Sequence, residues 1–267
     1  MSAEAPLLIT LENGIKRITF NRPQARNAIT PEMFGLFSQA ILDSVNDESK
    51  VIILTGADDA FCAGADLGGF NAMDSAHYDV TESLRNTTNP AILAMRATPK
   101  PIIARVHGFA AGIGCNYALA CDLIIASEQA KFAELFVRIG LMPDGGGTHF
   151  VPQLVGYHKA FEMIALGETV NAQEALQLGI VNRVVPYEEL DATVNAIAER
   201  LKASPAISLA KIKAGLNYGL THNLAESLEF EAVNQAECFH SADFREGVQA
   251  FVQKRKAMFT GDRKTHV

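Results

Sequence analysis

Hydrophobic residues fall into short strand-like runs through the first half of this chain and into helical periodicity toward its end. Residues 7–11 and 15–20 flank Glu12-Asn13-Gly14, and the Asn-Gly pair predicts a tight hairpin between two strands. Thr30-Pro31-Glu32 predicts a helix start: a hydroxyl cap, then proline at the first helical position, where its missing N–H is no loss. That helix sets Phe34, Phe37, Ile41 and Val45 on one face and is expected to end near Asp47. The apolar runs at 51–55, 102–106 and 123–126 have strand length and read as buried strands, with a short helix from about 113 to 120. Residues 68–98 begin polar and irregular and turn helical up to Thr98-Pro99-Lys100-Pro101, which makes them the expected mobile stretch, suited to shaping an acyl pocket. Asn171 to Glu174 matches a capping box opening a helix that stops at Gly179. From Ser204 onward the pattern is helical without a strand. Strand–strand–helix units followed by a helical tail imply an α/β fold, with a core over 1–203 and a C-terminal helical region over 204–267.

Composition narrows the class. A chain of 267 residues suits one large domain, or a core with a helical extension, and 48% hydrophobic residues are ample for packing. The net charge of −7 argues against a nucleic-acid partner, and any phosphate must be held by local Lys and Arg. Cys62, Cys115, Cys121 and Cys238 lack metal-ligand spacing, so no metal is expected, and reduced thiols fit a cytoplasmic protein. The first residues lack the basic start and apolar stretch of a signal peptide, and the last three, Thr-His-Val, are not a peroxisomal address. The longest apolar region, 102–126, is broken by Arg105, His107, Asn116 and Asp122, which disfavours a membrane span.

Candidate chemistry sits in three glycine-rich segments. Phe61-Cys62-Ala63-Gly64-Ala65-Asp66-Leu67 and His107-Gly108-Phe109-Ala110-Ala111-Gly112-Ile113-Gly114-Cys115-Asn116 each follow an apolar strand and present backbone with few side chains in the way. Two N–H groups aimed at one point form an oxyanion hole, which stabilises the charge that develops when a thioester is attacked or enolised. Pro143-Asp144-Gly145-Gly146-Gly147-Thr148 supplies an acid/base in Asp144, which as a residue type also suits a helix N-cap. Cys62 and Cys115 have no activating base and read as packing residues, and His107 reads as structural.

These segments, together with Asn21-Arg22-Pro23-Gln24-Ala25-Arg26-Asn27-Ala28 and residues 172–185, resemble the crotonase (enoyl-CoA hydratase/isomerase) superfamily over most of the chain. The resemblance implies a spiral of ββα units that binds coenzyme A as part of the substrate, without a separate cofactor. It also implies a C-terminal helical region that builds trimers, often paired into hexamers. It places the thioester carbonyl between the N–H of Ala65 and that of Ile113, the latter following Gly112 at a helix start. Arg26, Ala28, Ala63, Gly64, Ala65, Asp66, Leu67, Gly112, Phe136 and Lys254 match positions that the resemblance implies meet the substrate or its CoA. A solvated arginine, a loop-holding aspartate and a basic helix end are the plainer readings of Arg26, Asp66 and Lys254.

One departure decides the activity. Family hydratases carry glutamates where this chain has Asn116 and Phe136. Asparagine holds a water without taking its proton, and phenylalanine does neither. Asp144 stands where isomerase branches place a carboxylate, so the resemblance is to the isomerase type, Δ3,Δ2-enoyl-CoA or epoxyphenylacetyl-CoA. Dehalogenation ranks low because a similar branch needs a tryptophan and this chain has none. Glu134 lies two residues before the second glutamate position; if it points into the pocket, hydration gains ground. A hydratase, thioester hydrolase or decarboxylase of this fold is the alternative, and a non-catalytic acyl-CoA-binding relative is the third.

Overall fold

The computed structural model describes residues 5–70 and 78–260. Its strands in chain order are β1 (Leu7–Glu12), β2 (Ile15–Phe20), β3 (Val51–Gly56), β4 (Ile102–Val106), β5 (Phe109–Ala111), β6 (Leu123–Ser127), β7 (Lys131–Ala133), β8 (Thr169–Asn171) and β9 (Arg183–Val185). The helices that bear on the argument are α1 (Pro31–Asp43), α2 (Leu67–Phe70), α3 (Val80–Asn86), α4 (Thr88–Ala97), α5 (Ile113–Leu119), α6 (Gly147–Val155), α7 (Tyr157–Leu166) and α8 (Ala172–Gln177). They are followed by α9 (Tyr187–Lys202), α10 (Ala206–Gly219), α11 (Leu224–Phe239) and α12 (Ala242–Val252). β1 and β2 form the expected antiparallel hairpin, with Asn13 and Gly14 at φ 50° and 77° in the turn. The main sheet runs β1-β2-β3-β4-β6-β9, parallel from β2 onward, and a second sheet runs β5-β7-β8.

The two sheets explain the repeating unit. β4 hands on to β5 and then α5; β6 hands on to β7 and then α6. β3 does the same through a single bridge, Cys62 to Ala110, before α2, α3 and α4. Each turn therefore leaves the large sheet, adds a few residues to the small one, and returns through helix. The glycine-rich segments lie at those transfers.

Alternation along the central strands covers both faces of the main sheet. Ile52, Leu54, Ile102, Ala104 and Ile124 join the large core with Phe37 and Ile41 of α1 and Met95 of α4. Val51, Ile53, Ile103 and Ile125 face the other way, against Leu190, Val194 and Ala198 of α9. Burial on both sides is why these strands read as continuous apolar runs.

α1 stops at Asp43 rather than near Asp47, and its buried face carries Met33, Phe37, Ala40 and Ile41, with Phe34 and Val45 only half-buried. Asp47 is instead drawn into an ionic cluster, accepting from Lys100 at 2.7 Å, Ser49 at 2.5 Å and Lys16 at 2.9 Å. Burial pushes its carboxyl up, but these donors hold it well below the usual range. In the stretch expected to be mobile, α2, α3 and α4 account for 67–70 and 80–97, while 71–77 lie outside the described residues. The cap at Asn171 is present, its Oδ1 accepting from Glu174 N–H at 3.0 Å, and Gly179 takes φ 77° just beyond α8.

Between 206 and 252 the chain is built of the helices α10–α12 without a strand, as expected, and they are tied to the core. Lys213 of α10 donates to Asp122 at 2.8 Å and to the Lys100 carbonyl at 3.2 Å, and Arg96 bonds Asn217. Helices α10–α12 leave an apolar concavity of about 1360 Å³. No helix among the described residues is long and apolar enough to cross a membrane.

Candidate active site

Two of the glycine-rich segments run side by side. Cys62 N–H donates to the Phe109 carbonyl and Ala111 N–H to the Cys62 carbonyl, both at 2.9 Å. Ile29 N–H donates to Gly64 at 2.8 Å, and Asp66 N–H returns to Ile29 at 2.9 Å. Gly112 N–H donates to Ala133 at 2.8 Å. Inside this frame the N–H groups of Ala65 and Ile113 have no acceptor among the described residues. Gly64 at φ 99° and Gly112 at φ 53° adopt backbone that L side chains rarely take. The Cα of Gly64 lies 3.9 Å from where a Cβ of Gly112 would sit, so the glycines that precede Ala65 and Ile113 pack against each other.

The third segment closes on the same point. A Cβ at Gly145 would overlap Ile113 Cδ1, and it would lie 3.5 Å from Asn116 Cβ and 3.6 Å from Thr88 Cγ2. Asn116, wholly buried on α5, donates from Nδ2 to the Asp144 carbonyl at 2.8 Å. A Cβ at Gly147 would lie 2.8 Å from Asn116 Nδ2 and 2.9 Å from Oδ1, so only glycine fits beneath that amide. α6 begins at Gly147 with Gly146 as its cap, and Asp144 caps nothing with its side chain. Its Oδ1 is buried and has no hydrogen-bond partner among the described residues. Burial raises its carboxyl to about 6.

Glu134 enters this neighbourhood from the end of β7. It is 1% exposed; Oε2 accepts from Asn116 Nδ2 at 3.5 Å, and Oε1 is buried without a hydrogen-bond partner among the described residues. Burial lifts its carboxyl to about 8, against hydrogen bonds from Cys115 and Asn116 that act the other way. Phe136 is buried too, its ring edge 3.8 Å from a Cβ position at Gly112. The signal for Glu134 was present in sequence: one charge inside the apolar run Phe132-Ala133-Glu134-Leu135-Phe136-Val137.

Other expected residues sort by what they touch. Asp66 pairs with Arg22 at 2.8 Å and accepts from Gly68 N–H at 3.1 Å, so it holds its own loop. Arg26 is exposed at φ 50°, its guanidinium 6.0 Å from the Phe109 ring, and its carbonyl accepts from Ala63 N–H at 3.0 Å. Ala28 is buried and Leu67 exposed at the rim of the same loops. Lys254 lies beyond α12, where its N–H donates to the Phe251 carbonyl, and among the described residues it makes no hydrogen bond or ion pair with the glycine-rich segments.

Cys62 and Cys115 are buried thiols, Cys62 pushed up to about 12 by burial, as packing residues should be. His107 is structural. Arg105 can only donate, so its 2.8 Å contact makes Nδ1 the acceptor and leaves the proton on Nε2, which donates to the Asp58 carbonyl at 2.5 Å. Among the described residues no group of three or more His, Cys, Asp or Glu is placed to hold a metal.

Comparison with known proteins bears on this geometry. The family model for enoyl-CoA hydratase/isomerase matches residues 10–263. A Rhodobacter capsulatus protein named probable enoyl-CoA hydratase is 39% identical over 94% of this chain and 96% of its own. The 1,2-epoxyphenylacetyl-CoA isomerase of Escherichia coli is 35% identical over 96% of this chain and 98% of its own. An enoyl-CoA hydratase structure from Bacillus anthracis superposes with a TM-score of 0.91 at 30% identity, covering 97% of this chain and all (100%) of that one.

Proposed function

The chain belongs to the enoyl-CoA hydratase/isomerase family, the crotonase superfamily, and from that premise we propose that it is an acyl-CoA isomerase with Asp144 as the proton shuttle. The N–H groups of Ala65 and Ile113 hold the thioester oxygen, so charge that develops there in the enolate is met by donors already in place. The Asp144 carboxylate removes a proton from C2 of a 3-enoyl-CoA. Electrons move through the dienolate, and the same carboxyl returns the proton to C4, leaving the double bond between C2 and C3. One carboxylate suffices for that 1,3-shift. A carboxyl with a pKa near 6 is ionised at neutral pH yet basic enough to serve.

The observation that carries this reading is Asp144 itself: a buried carboxylate oxygen with no hydrogen-bond partner among the described residues, on a loop packed against Ile113. Hydration is the second reading, favoured by the inward placement of Glu134 and by hydratase-named relatives. It ranks lower because Glu134 is held near 8, hence protonated at neutral pH and unable to take a proton from water, while Asn116 and Phe136 are not bases. Arg26, Ala28, Ala63, Gly64, Asp66 and Leu67 border the proposed CoA path, and Lys254 is assigned to it from another copy of the chain. The apolar face of α10–α12, where Phe251 is 85% exposed, supports a trimer, with a dimer of trimers as its larger form. A cytoplasmic location rests on the thiol content and the absence of a membrane-crossing helix among the described residues.

Purified protein is assayed with 3-enoyl-CoA and 2-enoyl-CoA, following conjugated-thioester absorbance and CoA release in parallel. The expected result is conversion of the 3-enoyl thioester without CoA release, lost in Asp144→Asn by about 10²–10⁴-fold. Full turnover by a folded Asp144→Asn protein overturns the proposal.

A further inference from the structure

Asn116 has one amide nitrogen and two hydrogens, and the fold places an acceptor at each: the Asp144 carbonyl at 2.8 Å and Glu134 Oε2 at 3.5 Å. The amide is clamped on a further side by the backbone of Gly147, where even a methyl group would collide. We propose that Glu134 is a positioning residue for the isomerisation, acting through Asn116 to fix the loop that carries Asp144. The inference rests on the isomerase reading of the same site.

Two observations support it. The next residue back, Ala133, accepts from Gly112 N–H at 2.8 Å, so one short segment of chain braces both the Ile113 amide and, through Asn116, the Asp144 loop. Glu134 is 1% exposed and sits beside an otherwise apolar cavity of about 10 Å³ lined by Leu119, Phe132, Val151 and Met163. Leucine or methionine would fill that space without the cost of burying a carboxyl. A carboxyl kept at such a position, bonded to the side chain that bonds the reactive loop, has a use that packing does not supply.

The neutral form is the one that fits. The groups facing Glu134 are the Cys115 thiol, the Asn116 amide and the Asp144 carboxylate; none carries positive charge, and the Asp144 charge opposes ionisation. A neutral Glu134 keeps a carbonyl-type oxygen for Asn116 and adds no second negative charge beside the shuttle. Glutamine offers the same acceptor, whereas leucine offers none.

The test compares Glu134→Gln and Glu134→Leu in the full chain, measuring kcat and KM for a 3-enoyl-CoA together with thermal melting. The expected result is near-normal kcat for Glu134→Gln, and for Glu134→Leu a fall in kcat of about 10- to 100-fold with KM within twofold and melting unimpaired. If Glu134→Leu keeps full kcat, the inference is overturned. It is also overturned if Glu134→Gln loses as much as Glu134→Leu, because Glu134 would then be carrying a proton, or if the Leu loss simply follows a lowered melting temperature. Asp144→Asn, run alongside, separates this from the isomerase reading: full activity there defeats the reading itself, whatever Glu134 does.

Discussion

Asn116 and Asp144 are joined through a single hydrogen bond, 2.8 Å from the asparagine amide to the aspartate carbonyl, which anchors a loop to the first turns of α5. Because α5 begins at Ile113, that bond fixes the carboxyl-bearing segment relative to one of the two unpaired amides. Asparagine is not a base, so in this geometry Asn116 serves that loop as a brace.

Asn116→Leu removes the donor while keeping the volume, leaving the Asp144 carbonyl unpaired. A stability loss of about 1–3 kcal/mol is expected, together with a fall in kcat at least as large as that of Glu134→Leu. Chemical denaturation and steady-state kinetics on the same preparation check both; unchanged kcat would remove Asn116 from the account.

The two raised carboxyls set a pH dependence of stability. Each binds its proton more tightly in the folded state, so the native protein holds more protons than the unfolded chain between the ordinary carboxyl range and about 6 for Asp144 or about 8 for Glu134. Stability contributed by these groups is present at low pH and falls as pH rises through that window. Asp144→Asn and Glu134→Gln are thus expected to raise the melting temperature at pH 8 more than at pH 5, with the larger difference for Glu134→Gln because its window is wider. Activity runs oppositely, since the Asp144 base form is lost as pH falls through about 6.

Gly114 tests the spacing of the two amides. A Cβ there would lie 2.5 Å from the Cys62 carbonyl and 2.7 Å from its Sγ, so Gly114→Ala must push the first segment away from α5. A fall in kcat of about 10²-fold or more is expected, in the range seen when an oxyanion donor is removed. Calorimetry of CoA binding separates loss of chemistry from loss of affinity.

Lys213 tests the attachment of the C-terminal helices. Burial lowers its pKa, the Asp122 carboxylate supports its charge, and Asp122 also accepts from Ile102 N–H at 2.8 Å. Lys213→Met is expected to cost about 2 kcal/mol in denaturant unfolding, less than full disruption of a buried pair because Arg96 lies 3.8 Å from Asp122. A neutral result would show that the attachment of α10 does not depend on this ion pair.

Much of the core was legible because buried parallel strands leave continuous apolar runs: β4 matches its expected span and β3 extends one residue further. β5, β7 and β8 were not, since three residues carry no periodicity and exist only through pairing with distant partners. α9 has a narrow stripe, Leu190, Val194 and Ala198, within a charged surround, and only the open face of the sheet explains it. At the site, backbone conformation could be read from glycines at Gly64 and Gly112, and Asp144 from its segment. The pairing of Asp66 with Arg22 and of Glu134 with Asn116 could not, because each joins residues whose contact the fold alone determines.

The most direct measurement is exchange of the C2 protons of a saturated acyl-CoA in heavy water, followed by proton NMR. Enolisation held by the Ala65 and Ile113 amides, with Asp144 as base, predicts steady loss of the C2 signal with the wild-type chain. It also predicts a rate about 10²–10⁴-fold lower with a folded, CoA-binding Asp144→Asn protein. Equal exchange by the two proteins would contradict the assignment of Asp144 as the group that moves the proton.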